Sequence, residues 1–183
     1  MKKLFFILCS LSLICFISCG DDLPDADLAY DGENADAPFL VAGTYQACAK
    51  FTSTQTSSLS GRNIGTVDYY FTNLPQRAEV KIYGEGTSNA PGNQLYSSDV
   101  TLASDTGWNT HTVGEDVEIT GGDIWICMEI RHDSEINTIG CDSGPANADG
   151  DWTFSDLDNE WQSFRQRTNQ NVSINWNIRA SAR

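Results

Sequence analysis

The stretch that decides the fold is the run 172–179, which reads Val-Ser-Ile-Asn-Trp-Asn-Ile-Arg. Its apolar residues, Val172, Ile174, Trp176 and Ile178, alternate one by one with polar residues. A two-residue period is that of a β-strand with one face in the core and the other in solvent. The run therefore predicts a strand whose core face includes Trp176.

The same alternation recurs upstream, whereas helical spacing is hardly present. Apolar residues keep one parity in four further runs and in a less regular fifth one, which are 47–51, 67–71, 78–82, 124–130 and 113–119. Turn clusters rich in Gly, Asn, Asp and Pro separate several of these runs. The pattern predicts an all-β domain, an antiparallel two-sheet sandwich of the jelly-roll type. A closed barrel would show the same period and stays the alternative.

The charge of the chain restricts its partners. The 183 residues carry a formal net charge of −14. Binding to a phosphate backbone is driven by clustered Lys and Arg, so this composition argues against nucleic acid.

The N-terminus predicts export. Lys2 and Lys3 precede the apolar run 4–17, which has the length of a signal peptide and is too short to span a membrane. The stretch 16–20, Phe-Ile-Ser-Cys-Gly, resembles the lipobox of bacterial lipoproteins. That resemblance implies cleavage of the signal peptide 1–18 and acylation of Cys19, which would anchor the protein to a membrane. An ordinary secretory signal is the alternative. Removing residues 1–18 takes away two lysines and no acid, which leaves a formal charge of −16.

Residues 19–38 follow as the acylated cysteine and a flexible tether, rich in Asp, Gly, Ala and Pro and without a period. Residues 39–183 are then one domain of ordinary size. The start of the tether, Cys-Gly-Asp-Asp-Leu at 19–23, resembles the surface-export signal of Bacteroidetes lipoproteins. It implies a location on the outer membrane, facing the extracellular side.

The body carries a second resemblance, which covers most of residues 47–182. The most specific motifs are Cys-Asp-Ser-Gly-Pro at 141–145 and Asn-Trp-Asn-Ile-Arg-Ala at 175–180. In this order they resemble a β-sandwich module common in secreted and surface proteins of Bacteroidetes. The module is appended to peptidases or adhesin-like proteins, or stands alone on a lipoprotein. The resemblance implies a sandwich, and it implies no particular activity because a sandwich hosts many functions.

Catalytic signatures are scarce. The two histidines, His111 and His132, adjoin no nucleophile motif, and no phosphate-binding glycine loop, zinc-type spacing or dinucleotide fingerprint occurs. A glycosidase pair of carboxylates cannot be recognised from sequence spacing. We therefore predict a non-catalytic binding or adhesion module for a glycan or an envelope protein. The alternatives are a structural envelope-accessory lipoprotein and, third, a hydrolase.

The segment 142–151 is a candidate calcium loop. Asp142, Asn147, Asp149 and Asp151 offer side-chain oxygens, and two glycines permit a tight backbone. Ca²⁺ prefers six to eight oxygen ligands of this kind. The loop lacks the twelve-residue helix-loop-helix spacing, and a solvated acidic loop is the alternative interpretation.

Two tryptophans next to the acidic segments are candidate ligand platforms. Trp152 and Trp161 could hold the C–H face of a sugar, with polar groups beside them. Large aromatic side chains also close cores, and this is the alternative for each of them.

Three cysteines, Cys48, Cys127 and Cys141, remain after the signal and Cys19. Export permits a disulfide. The shorter separation favours Cys127 with Cys141. Cys48 with Cys127 is the rival, because both lie off the predicted core face, and three reduced thiols are a further alternative.

Overall fold

A computed structural model of the protein describes residues 24–102 and 106–183. Almost all regular structure in these residues is β-strand. The strands are β1 Phe39–Leu40, β2 Gly43–Phe51, β3 Ile64–Phe71, β4 Arg77–Tyr83, β5 Gln94–Asp99, β6 Gly107–Thr112, β7 Ile124–His132, β8 Ile136–Asn137, β9 Trp152–Ser155, β10 Glu160–Ser163 and β11 Ile178–Ala182. Two four-residue helices accompany them, α1 Ser53–Thr56 and α2 Phe164–Arg167.

The strands form two main antiparallel sheets. One has six strands in the order β10-β9-β2-β7-β4-β5, and the other has three in the order β11-β3-β6. The strands β1 and β8 form a separate pair. Neither main sheet closes on itself, which decides between the sandwich and the barrel. The prediction of an all-β sandwich is confirmed.

The core lies between the two main sheets, and it follows from the parity of the strands. In β7 the predicted core residues Ile124, Ile126, Met128 and Ile130 are all at most 3% exposed. They share one hydrophobic cluster with Val67 and other residues of the opposite sheet. A period of two residues therefore places one face of each strand in a common core.

The run 172–179 departs from its prediction in one respect. Trp176 is in the core as predicted, but the regular strand begins only at Ile178. The alternate polar residues Asn175, Asn177 and Arg179 are also buried. Other parts of the chain cover these three side chains, and each donates a hydrogen bond to a carboxylate. Asn175 donates to Asp142, and Asn177 and Arg179 donate to Asp31.

The run 113–119 also differs from a strand. Val113, Val117 and Ile119 are buried as their parity predicts, at 0%, 4% and 1% exposure. However, they follow β6 in irregular backbone. Burial of alternate residues does not require a sheet partner for each of them.

The segment 24–38, predicted to be a flexible tether, packs on the sandwich. Leu28 is 1% exposed and pairs by its backbone with Ala180 in an antiparallel bridge. The side chain of Asp31 is fully buried and accepts from Nε of Arg179 at 3.0 Å. The guanidinium of Arg179 lies 4.9 Å from the ring centre of Trp108. The sandwich therefore includes residues from at least position 24 and does not begin at 39.

Cys19 and the predicted signal 1–18 lie outside the described residues. Within residues 24–102 and 106–183, no helix has the length and apolar character needed to cross a membrane.

Candidate functional site

The outer face of the six-stranded sheet carries a tryptophan cluster, formed by Cys48, Trp125, Cys127 and Trp152 with Trp161 packed against it. Register explains the cluster, since Cys48 lies opposite Cys127 on one side and Trp152 on the other. Trp125 is fully buried and Trp152 is 7% exposed. Their ring centres are 5.3 Å apart. The face turned away from the main core is therefore apolar at this end.

A disulfide joins Cys48 to Cys127 under these rings. The preferred prediction, Cys127 with Cys141, is wrong, and the rival pairing is the one observed. The two bonded residues face each other across β2 and β7, with their Cα atoms 4.1 Å apart. Cys141 is a free, buried thiol whose Sγ donates to the carbonyl of Asp36 at 3.4 Å. Strand register, and not separation along the chain, sets the pairing.

The structure brings the two predicted ligand residues together. Trp152 and Trp161 line one open groove of about 550 Å³. Asn89, on the turn between β4 and β5, and Gln166 of α2 line the same groove. Trp161 is half-buried, whereas Trp152 is nearly covered. Trp161 thus offers most of the accessible aromatic surface, with Trp152 beside it.

Local structure holds Trp161 in place. It lies opposite Phe154 in the β9–β10 hairpin, and the two ring centres are 5.4 Å apart. The ring of Trp125 meets it edge-on at 5.8 Å. The hairpin turn contains Asn159 with φ of 57°, a left-handed conformation that Asn tolerates. An aromatic side chain fixed by two others loses little conformational freedom when a ligand stacks on it.

Helix α2 begins at Phe164, directly after strand β10, and its cap positions Gln166. The backbone N–H of Ser163 donates to Oε1 of Gln166 at 2.9 Å. The backbone N–H of Gln166 donates in return to Oγ of Ser163 at 3.2 Å. This reciprocal arrangement is a capping box. It occupies the oxygen of the Gln166 amide, and Nε2 donates to no other described residue.

The environment of the Trp152 indole nitrogen is unusual. Nε1 of Trp152 is buried and has no hydrogen-bond acceptor among the described residues, and the same holds for Nε1 of Trp125. Buried donors are normally paired, either with a protein group or with an ordered water molecule.

Two of the four predicted calcium ligands in the acidic loop 142–151 accept hydrogen bonds from other protein groups. Oδ1 of Asp142 accepts backbone N–H groups of Gly144 at 2.9 Å and Asn175 at 2.7 Å. Asp151 has a fully buried side chain and accepts from Nε of Arg165 at 3.0 Å. Burial raises the pKa of Asp151 above its ordinary value, although Arg165 acts to lower it.

The other two predicted ligands lie between them at the surface. Asn147 is exposed and Asp149 is half-buried, and the backbone N–H of Asp149 donates to Oδ1 of Asn147 at 3.3 Å. Nowhere in residues 24–102 and 106–183 do three or more His, Cys, Asp or Glu side chains form a group that could hold a metal. Calcium binding by this loop stays a prediction from the sequence.

A second groove, of about 630 Å³, lies on another part of the surface. Its lining is mainly apolar and includes Pro38, Phe39, Phe164 and Ile174. Phe39 is 71% exposed. This groove offers an exposed aromatic residue that can serve as a control for Trp161.

The two histidines contact a tyrosine hydroxyl and a backbone carbonyl. Nε2 of His111 lies 2.8 Å from the hydroxyl of Tyr96, and burial lowers the pKa of His111. Nε2 of His132 lies 3.1 Å from the carbonyl of Val41. These contacts assemble no acid-histidine-nucleophile arrangement in the part of the chain that the structure describes.

Asn89 and Gln166 were not predicted as site residues from the sequence. The Ser-x-x-Gln spacing of Ser163 and Gln166 is a signal for a capping box and could have located the start of α2. No local signal places Asn89 beside Trp161, because the two residues meet only when the sheet is assembled.

Comparisons with known proteins bear on the fold alone. No protein-family model matches the chain, and no curated protein matches it in sequence. Among solved structures, the clostridial cysteine protease Cwp84 after propeptide cleavage has a similar fold, with a TM-score of 0.60 and 15% sequence identity. The match covers 86% of this chain and 40% of the protease chain. A likeness at this identity is one of β-architecture, and it accords with the sandwich described above.

Proposed function

We propose that this protein is a lipoprotein of the outer membrane, anchored through Cys19 and facing the extracellular side, that binds glycans without catalysis. The observation that carries the proposal is the single groove shared by Trp152 and Trp161. The anchor rests on the resemblance of residues 16–20 to a lipobox.

The chemistry of the groove suits a saccharide. A sugar has apolar C–H faces, which pack on aromatic rings, and hydroxyl groups, which bond to amides. Trp161 supplies an aromatic face, and Asn89 and Gln166 supply amides. The volume of about 550 Å³ lies within the usual range of small-ligand clefts.

We propose binding without catalysis because of the number of acidic residues in the groove. Glycoside hydrolysis in most families needs two carboxylates that flank the scissile bond. Among the described residues that line the groove, Glu160 is the single acidic one. We therefore assign the groove to binding.

Alanine substitution at the groove tests the proposal. Binding of residues 20–183 to a glycan array, followed by calorimetry with the best ligand, is compared with that of Trp161→Ala. We expect at least about a tenfold loss of affinity, since stacked aromatic residues dominate sites of this kind. Phe39→Ala removes an exposed aromatic from the other groove and is the matched control.

Two outcomes would contradict the glycan site. One is the failure of every glycan to bind a folded protein, with folding checked by thermal unfolding. The other is a loss of binding in Phe39→Ala that equals the loss in Trp161→Ala. Trp152→Ala is less suitable as a first variant, because this residue packs next to the disulfide.

The anchor is tested separately. Mass spectrometry of the N-terminal peptide from membranes should show a diacylglycerol-modified Cys19, and Cys19→Ala should abolish it. Added protease should degrade the wild-type protein on intact cells. An unmodified N-terminus would contradict the anchor and leave the groove untouched.

A further inference from the structure

We infer that the groove of Trp152 and Trp161 selects uncharged saccharides and rejects acidic ones. This inference rests on the proposed function, because it names the class of glycan that the same site takes. It follows from the charges around the groove.

Among the residues that the structure describes, none with a cationic side chain lines the groove. Its lining contains one charged residue, Glu160, which is exposed and whose Oε2 accepts from Nε2 of Gln162 at 2.6 Å. Sites for carboxylate or sulfate groups are built with Arg or Lys, whose charge-assisted hydrogen bonds neutralise the ligand. A bound anion would find no such partner in this lining. The carboxylate of Glu160 does not itself face the tryptophans, because alternation along β10 places residues 160 and 162 on the sheet face opposite Trp161.

The arginines closest in sequence to the groove already have partners. Arg165 and Arg167 flank Gln166. Arg165 pairs with the buried Asp151 at 3.0 Å, and Arg167 pairs with Asp158 at 2.6 Å. Releasing Arg165 would leave the carboxylate of Asp151 buried without a counter-charge, which is strongly unfavourable. Arg165 is therefore not free to turn toward a ligand.

The lysines next to the tryptophan cluster are also occupied. Lys81 lies opposite Cys127 in register, and its Nζ pairs with Oε2 of Glu129 at 2.5 Å. Nζ of Lys50 lies 2.9 Å from Asp123 and 5.6 Å from the ring centre of Trp125. The residue is 7% exposed. Its charge is neutralised within the protein and cannot attract an acidic sugar.

The remaining polar groups suit hydroxyls. The amide of Gln166 is fixed by its capping box with Nε2 available as a donor, and the Asn89 amide both donates and accepts. A hydroxyl group can accept from one and donate to the other, whereas an ionised carboxylate can only accept. The full chain has a formal net charge of −14, which adds a general repulsion of anions. Salt screens this repulsion.

The experiment compares two forms of one polysaccharide. Residues 20–183 contain every residue that the structure describes, and their binding to a neutral glucan is measured beside binding to its carboxymethylated derivative. We expect the neutral form to bind at least about tenfold more tightly at low salt, with a smaller ratio at high salt. If the ligand found on the array is a mannan, the same pair is made from mannan.

Charge variants locate the effect in the groove. Asn89→Lys, which adds a cation to the lining, should reduce the affinity ratio between the neutral and the charged form several-fold. Ser134→Lys makes the same change of net charge at an exposed position that does not line the groove, and it should leave the ratio nearly unchanged.

The outcomes separate this inference from the proposed function. Equal or tighter binding of the carboxymethylated form would overturn the selection of uncharged sugars and leave glycan binding in place. Equal effects of Asn89→Lys and Ser134→Lys would also overturn it, because net charge alone would then explain the ratio. Binding of neither form, after a negative array, would contradict the proposed function itself.

Discussion

The buried ion pair between Asp31 and Arg179 should hold the N-terminal segment on the sandwich, and its removal should be costly. The Asp31 side chain is fully buried and that of Arg179 is 7% exposed. The carboxylate also accepts from Nδ2 of Asn177 at 2.7 Å. The guanidinium further donates to the carbonyl of Pro24 at 2.9 Å. The two residues are therefore linked into one network across 148 positions of sequence.

We expect Asp31→Ala to lower the free energy of unfolding by about 3–5 kcal/mol, because it leaves a buried cation without its counter-ion. Urea unfolding followed by tryptophan fluorescence measures the change. The double variant Asp31→Ala with Arg179→Met should be less destabilised than the sum of the two single variants by at least about 2 kcal/mol.

An exposed ion pair of the same chain supplies the control. Arg183 and Asp116 lie 2.8 Å apart, and the Asp116 side chain is 84% exposed. Asp116→Ala should change the free energy of unfolding by less than about 1 kcal/mol, since solvent screens such pairs. If Asp31→Ala costs no more than Asp116→Ala, the N-terminal segment is not held as described here.

Three further predictions concern other parts of the molecule. The disulfide closes a separation of 79 residues. The double variant Cys48→Ala with Cys127→Ala should therefore lose about 4–5 kcal/mol of unfolding free energy, measured in urea. A stability that does not change when the protein is reduced would contradict the pairing. Burial raises the pKa of Cys141 from 9.0 to about 12, so its contribution to stability is complete below pH 9 and is lost as the pH rises toward 12. This loss is about 1.4 kcal/mol per pH unit, and Cys141→Ala should remove it from alkaline unfolding curves; an unchanged slope would argue against a buried thiol. Calcium binding at the loop 142–151 predicts a higher unfolding midpoint in millimolar Ca²⁺ than in EDTA, a difference that Asp149→Ala should abolish, and coincident curves would contradict it.

The sequence predicted the candidate site only in part, and particular residues show why. Trp152 and Trp161 could be selected because tryptophans beside polar residues are typical of sugar sites. The sequence could not show that they share a groove, since the β9–β10 hairpin must first fold and a turn from β4 must approach it. The acids of the loop 142–151 illustrate the opposite case. Asp142 and Asp151 have the composition of cation ligands, yet in the fold they accept N–H groups from Asn175 and Arg165.

Local periodicity in the sequence by itself determined the sheet class and the inward face of the strands. The alternation in 124–130 and 78–82 needs no knowledge of distant residues, because the period belongs to the extended backbone. Tertiary structure alone decided the partners of residues far apart in the chain. Cys48 meets Cys127 because β2 and β7 are adjacent in register, and Asp31 meets Arg179 because residues 25–31 lie along β11. Such contacts depend on how whole sheets assemble, and a buried charge or thiol takes the partner that assembly places beside it.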